Sequence, residues 1–311
     1  MRNRLVKIGI VLVIILVISI NIIPSMANVF VKKNYEEIIT IPGGDGTEFW
    51  ALIFAVGIYK NNPFQNRDFM IKDAEDLNNA LLKSPQWKDE NIHMVTGSNA
   101  TGKRLLKELR WLINNCDRND MTFIYITTHG SPLIGITGEL VDLPPKDEAD
   151  GTDEMLVMYD GFDKWYAFIW DDLLNFHLSL LRSKGVCLVV DSCYSGGFND
   201  TPMFMDVNLK NYDANSFKVG LAEDLLGQNR IVLMSSTEYE LSYGSYFTYF
   251  LIEGLLDGAD FWGNYDGINS AEESFNYSEY WMEKFDVENT PTIYDLYPGE
   301  FPITYSDLNW R

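Results

Sequence analysis

Residues 185–197 read Gly-Val-Cys-Leu-Val-Val-Asp-Ser-Cys-Tyr-Ser-Gly-Gly, and the interpretation of the whole chain starts from this stretch. The apolar run from Val186 to Val190 is typical of a strand that is buried on both faces of a parallel sheet. A carboxylate, a thiol and three hydroxyl side chains follow it, and the paired glycines allow a tight turn beside them. Because ligands bind at the carboxyl ends of strands in open α/β sheets, the sequence predicts a functional site around Cys193.

A second stretch has the same form. Residues 121–130 contain a short apolar strand that ends in Thr-Thr-His-Gly, with His129 as the third of these four residues. If the two strands are parallel neighbours, their carboxyl ends lie at one edge of the sheet, and the imidazole of His129 meets the thiol of Cys193. A cysteine and a histidine placed in this way can act as nucleophile and proton-transfer partner.

Together the two strand ends resemble the caspase, metacaspase and legumain superfamily of cysteine peptidases, and the metacaspase-like branch most. The likeness extends from about Phe49 to Phe250. It implies an α/β fold, a three-layer sandwich around a mostly parallel sheet, with His129 and Cys193 as a catalytic dyad. It also implies that the backbone N–H groups of Gly130 and Cys193 hold the oxyanion of the reaction.

The residues around the thiol bear on the choice of substrate. Asp191 stands two residues before Cys193, a position that lines the substrate pocket in the superfamily, and a carboxylate there suits Arg or Lys. Asp191 could equally cap the local turn, and an Asn preference like that of the legumains stays open. A further apolar strand, starting at Arg230, ends in Ser235 and Ser236, which are expected to line the same edge of the sheet.

Alternating strands and helices predict a doubly wound domain over residues 48–265, with residues 266–311 as an extension packed on it. Between the first strand and the histidine strand, the pattern predicts a short strand over Ile92 to Val95 and a helix capped by Thr101. Asp171 is expected to cap the helix that leads back to the cysteine strand.

The first 27 residues have the form of a secretory leader. Basic residues precede an apolar run from Ile8 to Ile20, and Ser25-Met26-Ala27 offers small residues at a cleavage site. The apolar run is also close to the minimum length of a membrane span, so an uncleaved anchor remains an alternative. Residues 28–47 are expected to be a linker. In either case the sequence predicts a protein that is secreted, or anchored with its body outside the cytoplasm.

Charge and cysteine content exclude several classes of function. The net charge of −21 would repel nucleic acid, so peptides and divalent cations are the expected partners. The three cysteines have no zinc-ligand spacing and cannot build a disulfide framework. Cys187, inside an apolar strand, is expected to be a buried thiol, and Cys116 is expected to close a helix.

Several aspartates resemble carboxylates that bind calcium in many metacaspases. They are Asp153, Asp171, Asp172 and Asp200. Hard oxygen ligands of this type suit calcium, but a helix cap and solvated loop charges would give the same pattern. The acidic segment from Asp142 to Glu154 is expected to be a surface excursion near the site. No cofactor other than calcium is indicated.

The sequence therefore predicts a cysteine endopeptidase that forms a thioester at Cys193 and cleaves after Arg or Lys. Three alternatives stay open. One is an inactive member of the same fold that binds peptides, and another is a legumain-like peptidase specific for Asn. The third is a different thiol enzyme, such as an amidase or a transpeptidase.

Overall fold

The structure, a computed structural model, describes residues 46–133, 141, 153–162, 164–194, 227–235, 245–287 and 290–305. The predicted leader, nearly all of the linker, and residues 196–197, Asp200 and Ser236 lie outside this part of the chain. Within it, the helices are all too short or too polar to cross a membrane.

The described residues form ten strands and six α-helices. The strands are β1 (Phe49–Ala55), β2 (Trp87–Thr96), β3 (Met121–Pro132), β4 (Glu154–Val157), β5 (Phe168–Trp170), β6 (Gly185–Tyr194), β7 (Arg230–Met234), β8 (Ile268–Ser270), β9 (Thr292–Asp295) and β10 (Pro302–Tyr305). The helices are α1 (Phe69–Lys83), α2 (Gly102–Asn115), α3 (Asp171–Ser179), α4 (Tyr246–Glu253), α5 (Ala259–Trp262) and α6 (Ala271–Lys284).

The central sheet has the strand order β2-β1-β3-β6-β7-β9. The first five of these strands are parallel to one another, and β9 is antiparallel to β7. This is the mostly parallel sheet that the sequence predicts. Helix α1 joins β1 to β2, α2 joins β2 to β3, and α3 leads into β6. Parallel neighbours are thus connected through helices, as crossover connections require.

Helices cover both faces of the sheet and complete a three-layer sandwich. One face packs against α1, α4 and α6, with Tyr125 and Val189 among its fully buried residues. The other face packs against α2 and α3, with Ile124 and Val190 in that core. Because neighbouring residues of a strand point to opposite faces, a strand buried on both sides is apolar throughout. The predicted fold class is confirmed.

Two predictions about element ends are wrong. Strand β2 starts at Trp87, well before the predicted start at Ile92. The apolar pattern does not show this earlier start, because the exposed residues Lys88–Glu90 interrupt it. Asp171 is not the cap of α3 but its first residue, and Trp170 is at the cap position. By contrast, Thr101 does cap α2, since its hydroxyl accepts the N–H of Arg104 at 3.2 Å.

The acidic segment before β4 is not a surface excursion at its carboxyl end. Asp153 and Glu154 are buried, and β4 runs antiparallel to the end of β3, with Gly130 opposite Leu156. Strand β5 then pairs with β4. Acidic composition indicates exposure, but the end of this segment is buried because it pairs as β4 with the end of β3.

Residues after 266 contribute to the sandwich itself. Helix α6 buries Phe275 and Met282 against one face of the sheet, and β9 extends the edge beyond β7. Strands β8 and β10 form a separate two-stranded antiparallel sheet.

Candidate functional site

The histidine strand and the cysteine strand are neighbours in the sheet. In the parallel pair of β3 and β6, His129 is the register partner of Cys193, and Gly130 is the partner of Tyr194. Adjacent strands lie about 4.8 Å apart, so the two residues leave the sheet at the same level and at the same edge. The predicted meeting of these strand ends is confirmed.

The imidazole of His129 is held in one orientation. Its Nε2 lies 2.9 Å from the carbonyl oxygen of Gln65, so the ring carries its proton on Nε2 and donates it to that carbonyl. No described residue offers a hydrogen-bond partner to Nδ1. The ring is only 2% exposed, and burial lowers the pKa of His129 to about 4. At neutral pH the imidazole is therefore uncharged, with the lone pair of Nδ1 available as a base.

Tyr59 fixes the strand end that carries this histidine. Its hydroxyl oxygen accepts the backbone N–H of His129 at 2.9 Å and lies 3.0 Å from the hydroxyl of Thr128. Its ring also stacks on the imidazole, with 5.0 Å between the ring centroids. A phenol that contacts both the backbone and the ring of His129 limits movement of the base in two directions.

The loop after β1 delivers both Tyr59 and Gln65 to the histidine. The chain turns at Gly57, which has a φ of +63°, and a Cβ there would lie 2.8 Å from the side chain of Ile71. The N–H of Tyr59 then donates to the side-chain oxygen of Asn66 at 2.9 Å, which closes the loop on itself. Sequence reasoning missed these contacts because nothing in the loop composition indicates which carbonyl will face the histidine.

Asp191 lies in a buried polar network on β6. Its carboxylate accepts a short hydrogen bond from the Thr248 hydroxyl, which in turn accepts from the phenol of Tyr125 at 2.9 Å. Burial raises the pKa of Asp191, although the Thr248 and Ser235 hydroxyls oppose that shift. The carboxylate is therefore held by the Thr248 hydroxyl of α4, and the Ser235 hydroxyl is a second favourable neighbour.

Asp73 is a second carboxylate of this network, and sequence reasoning missed it. It lies on α1, is 7% exposed, and interacts electrostatically with Asp191 and by a hydrogen bond with Ser245. Burial first, and then the charge of Asp191, raise the pKa of Asp73 to about 7. Among the described residues, no Lys or Arg forms a salt bridge with either carboxylate.

A signal for Asp73 was present in the sequence. The residue stands on the apolar face of α1, between Met70 and Leu77, where a carboxylate is unusual. Two further charged residues precede α1. The guanidinium of Arg67 donates to the carbonyls of Phe64 and Asn66, and Asp68 is at the cap position of the helix.

Ser235 lies close to Asp191 at the carboxyl end of β7. It directly follows β7, is 1% exposed, and its backbone N–H donates to the carbonyl of Val190 at 3.2 Å. Gly130 lies in β3 between Tyr194 of β6 and Leu156 of β4. Ser236 and Asp200 fall outside the described residues, so their predicted roles stay predictions.

The proposed calcium ligands are only partly brought together. The two oxygens of Asp171 accept the backbone N–H groups of Glu154 at 2.8 Å and of Asp172 at 2.7 Å. The backbone of Asp153 bridges Leu133 and Val141. In the described ranges, no three acidic, His or Cys side chains are placed to share a metal ion. The carboxylate of Asp171 fits the start of a helix, and calcium binding stays a prediction.

The other two histidines belong to a strand and a helix, and Cys116 and Cys187 are buried thiols. His93 belongs to β2 and contacts Glu108, and His177 is buried within α3. Cys187 is fully buried, and burial raises the pKa of its thiol well above the ordinary value. Cys116 ends α2 and is also buried. Thiols and rings of this kind are structural.

Comparison with known proteins agrees with this geometry. Residues 54–202 match the family model described as the metacaspase, peptidase C14 domain. The match agrees with the resemblance of the two strand ends to the caspase and metacaspase superfamily. The matched residues include β3, β6 and the whole of the loop that holds His129.

The curated relatives of this chain include fungal proteins. Metacaspase-1 of Eremothecium gossypii is 29% identical over 140 residues, which cover 42% of this chain and 29% of that protein. Metacaspase-1 of Schizosaccharomyces pombe is 27% identical over 155 residues, which cover 47% of this chain and 34% of that protein. The chain thus matches about a third of the length of these relatives.

Solved structures share the fold of this chain. Caspase-1 from Spodoptera frugiperda superposes with a TM-score of 0.52 at 14% identity, covering 85% of this chain and 92% of that one. Protein GSU0716 from Geobacter sulfurreducens has a TM-score of 0.52 at 16% identity, covering 84% of this chain and 100% of that one. At these identities the likeness shows the fold.

Proposed function

We propose that the protein is a cysteine endopeptidase in which Cys193 is the nucleophile and His129 is the proton-transfer partner. The observation that carries this proposal is the register pairing of His129 with Cys193, combined with an imidazole whose Nδ1 has no partner in the described residues. A neutral, oriented imidazole beside a cysteine is the arrangement that nucleophilic catalysis needs.

In the proposed reaction, the proton of the Cys193 thiol passes to Nδ1 of His129 and the sulfur attacks the carbonyl carbon of the peptide. The backbone N–H groups of Gly130 and Cys193 stabilise the oxyanion. Nδ1 then returns its proton to the departing amine as the C–N bond breaks, which leaves a thioester. Water, deprotonated by the same nitrogen, hydrolyses the thioester and restores the thiol.

Asp73 and Asp191 support cleavage after Arg or Lys. The two buried carboxylates form no salt bridge with a basic residue among the described residues and carry a desolvation penalty, and the charge of Asp191 also raises the proton affinity of Asp73. A guanidinium or ammonium that enters between them would relieve both effects. Because a bidentate Arg can bond both oxygens of a carboxylate, we expect Arg to be preferred over Lys.

The thiol mechanism is tested with a panel of peptide reporters that carry Arg, Lys, Asn or Asp before the scissile bond. Cys193→Ala should abolish hydrolysis of all of them, and Cys187→Ala is the matched control because that thiol is buried in the core. Turnover by the Cys193→Ala protein equal to that of the unmodified protein would remove the mechanism. Cleavage only after Asp would contradict the proposed pairing of a substrate Arg or Lys with Asp73 and Asp191.

The same assay separates the alternative functions. An inactive peptide-binding protein would leave Cys193 unlabelled by a thiol-reactive peptide inhibitor, whereas a transpeptidase would transfer the thioester to an added amine. We also propose that calcium supports the fold around Asp171, so that chelation lowers activity. Equal rates with calcium and with chelator would contradict that role. The proposed location outside the cytoplasm is tested by sequencing the amino terminus of the mature protein.

A further inference from the structure

A cleft of about 300 Å³ opens on the side of the sheet away from Asp73. It lies between α2 and the segment formed by β5 and the start of α3. Lys103, Leu106, Arg110, Phe168, Trp170 and Leu173 line it. Helices α2 and α3 belong to one core layer and α1, which carries Asp73, belongs to the other. The cleft is therefore separate from the proposed substrate pocket, and its volume is at the lower end of the range for ligand sites.

The cleft carries positive charge in a strongly acidic protein. Lys103 and Arg110 are exposed, and neither forms a salt bridge within the described ranges. On the same helix, the guanidinium of Arg104 is paired with Glu108. Against a net charge of −21, two unpaired cations beside an aromatic wall form a local site for an anion.

The spacing of these groups indicates the shape of the anion. Lys103 and Arg110 are seven residues apart on one side of α2, about 10 Å along the helix axis, and Leu106 lies between them. Two carboxylates three residues apart lie on the same side of a peptide in the polyproline II conformation and are separated by about 9 Å, at roughly 3.1 Å per residue. A peptide with an acidic residue at each end and apolar residues between them matches the order of charges and apolar surface.

Trp170 adds a polar group to the apolar wall. Its indole N–H is enclosed, and no acceptor for it exists among the described residues. An unsatisfied buried donor is costly, and a peptide carbonyl that approaches this wall after a small rotation of the indole would satisfy it. The cleft thus offers two cations and an apolar floor, and its wall contains a donor without a partner among the described residues.

We propose that this cleft binds an acidic-apolar peptide segment of a partner protein, of the form acid-apolar-apolar-acid. The carboxylates pair with Lys103 and Arg110, and the apolar side chains pack on Leu106 and Phe168. The site does not use Cys193, so it stands whether or not the proposed peptidase activity is correct.

Binding is tested by fluorescence anisotropy, with the full chain and a fluorescein-labelled Glu-Leu-Leu-Glu peptide. This peptide should bind, whereas Gln-Leu-Leu-Gln and Glu-Ser-Ser-Glu should each bind at least tenfold more weakly, since each lacks one half of the proposed recognition. Equal binding of the three peptides, or no binding of the first, would overturn the proposal.

Variants locate the binding on the protein. Lys103→Glu and Arg110→Glu should each weaken binding by about tenfold or more, because each replaces an attractive charge with a repulsive one. Lys107→Glu makes the same charge change on an exposed residue of α2 that does not line the cleft, and should leave affinity within about twofold. An equal loss in all three variants would indicate a diffuse charge effect and refute the site. Far-UV circular dichroism checks that each variant is folded.

His177 provides a readout that does not depend on activity. It lies behind the cleft, where burial and then the charge of Arg110 lower its pKa. A carboxylate bound to Arg110 should raise that pKa, and the chain has only three histidines, which makes their NMR signals assignable. Addition of Glu-Leu-Leu-Glu should shift the titration of His177 upward in the Cys193→Ala protein and not in Arg110→Glu. An unchanged titration in the presence of bound peptide would place the peptide elsewhere.

Discussion

The histidine pocket and the carboxylate pocket lie at the same edge of one sheet, yet burial acts on them in opposite directions. Around His129, burial lowers the pKa to about 4 and keeps the base neutral at working pH. Around Asp73, burial raises the pKa to about 7 and keeps the acid partly neutral. In each case the environment disfavours charge. In the proposed peptidase, the imidazole acts as a base while it is neutral, whereas the two carboxylates act only when a cationic substrate side chain enters.

The largest effect is expected from removing the base on the histidine side of this comparison. His129→Gln keeps a polar side chain of similar size but cannot accept and return a proton, so kcat should fall by about 10²–10⁴-fold. The KM for an Arg reporter should change little, because Asp73 and Asp191 are untouched. His177→Gln is the control, since that ring is buried in α3. Steady-state kinetics of both variants measure the difference, and a kcat for His129→Gln within tenfold of the unmodified protein would end its role as base.

Acid should destabilise the histidine pocket. Since the pKa of His129 is about 4 in the folded protein and about 6.5 when unfolded, the unfolded chain binds more protons between these values. Stability is therefore lost as pH falls from about 6.5 to about 4, by about 3 kcal/mol at most. Asp73 acts in the opposite direction, because its raised pKa makes the folded state bind more protons between about pH 4 and 7.

The two contributions are separated by comparison with variants. Urea unfolding at pH 7 and pH 4.5 should show a smaller loss of stability for His129→Gln than for the unmodified protein, and a larger loss for Asp73→Asn. Identical losses in all three proteins would mean that neither group titrates in the pockets as described.

The sequence was sufficient to predict which strand ends meet, and insufficient to predict the loop and helix contacts around them. Apolar runs that end in His129 and Cys193 predict parallel neighbours, because the period and the strand-helix alternation are local signals. The contacts of Tyr59, Gln65 and Asp73 depend on how a loop and a helix pack over those strands. Asp171 shows the same limit. Its sequence position suggests a helix cap, but Trp170 is at the cap position, and the carboxylate of Asp171 accepts the N–H of Glu154 in β4.

The role of the Asp73 carboxylate is tested by the pH dependence of the preference for an Arg substrate. With a pKa of about 7, the ionised fraction of Asp73 rises about tenfold between pH 6 and pH 8. The ratio of kcat/KM for an Arg reporter to that for a citrulline reporter should rise by a similar factor, because citrulline has the same shape without the charge. Titration of the thiol affects both reporters and cancels in the ratio. In Asp73→Asn the ratio should be low and nearly constant, and a ratio in the unmodified protein that does not depend on pH would show that Asp73 does not face the substrate.

The smallest effect is expected from removing the Tyr59 hydroxyl, which holds the backbone of His129. The phenol of Tyr59 holds the backbone N–H of His129 and stacks on its ring. Tyr59→Phe keeps the stacking and removes the hydroxyl, so kcat should fall by about three- to tenfold, with the KM for Arg unchanged. Tyr277→Phe, on the remote helix α6, removes a comparable hydroxyl and should leave both constants unchanged. A merely structural role for Tyr59 would lower the folded fraction without changing kcat per folded molecule, so active-site titration with a thiol inhibitor is measured alongside. An unchanged kcat per titrated site would show that stacking and the Gln65 carbonyl are enough to orient the base.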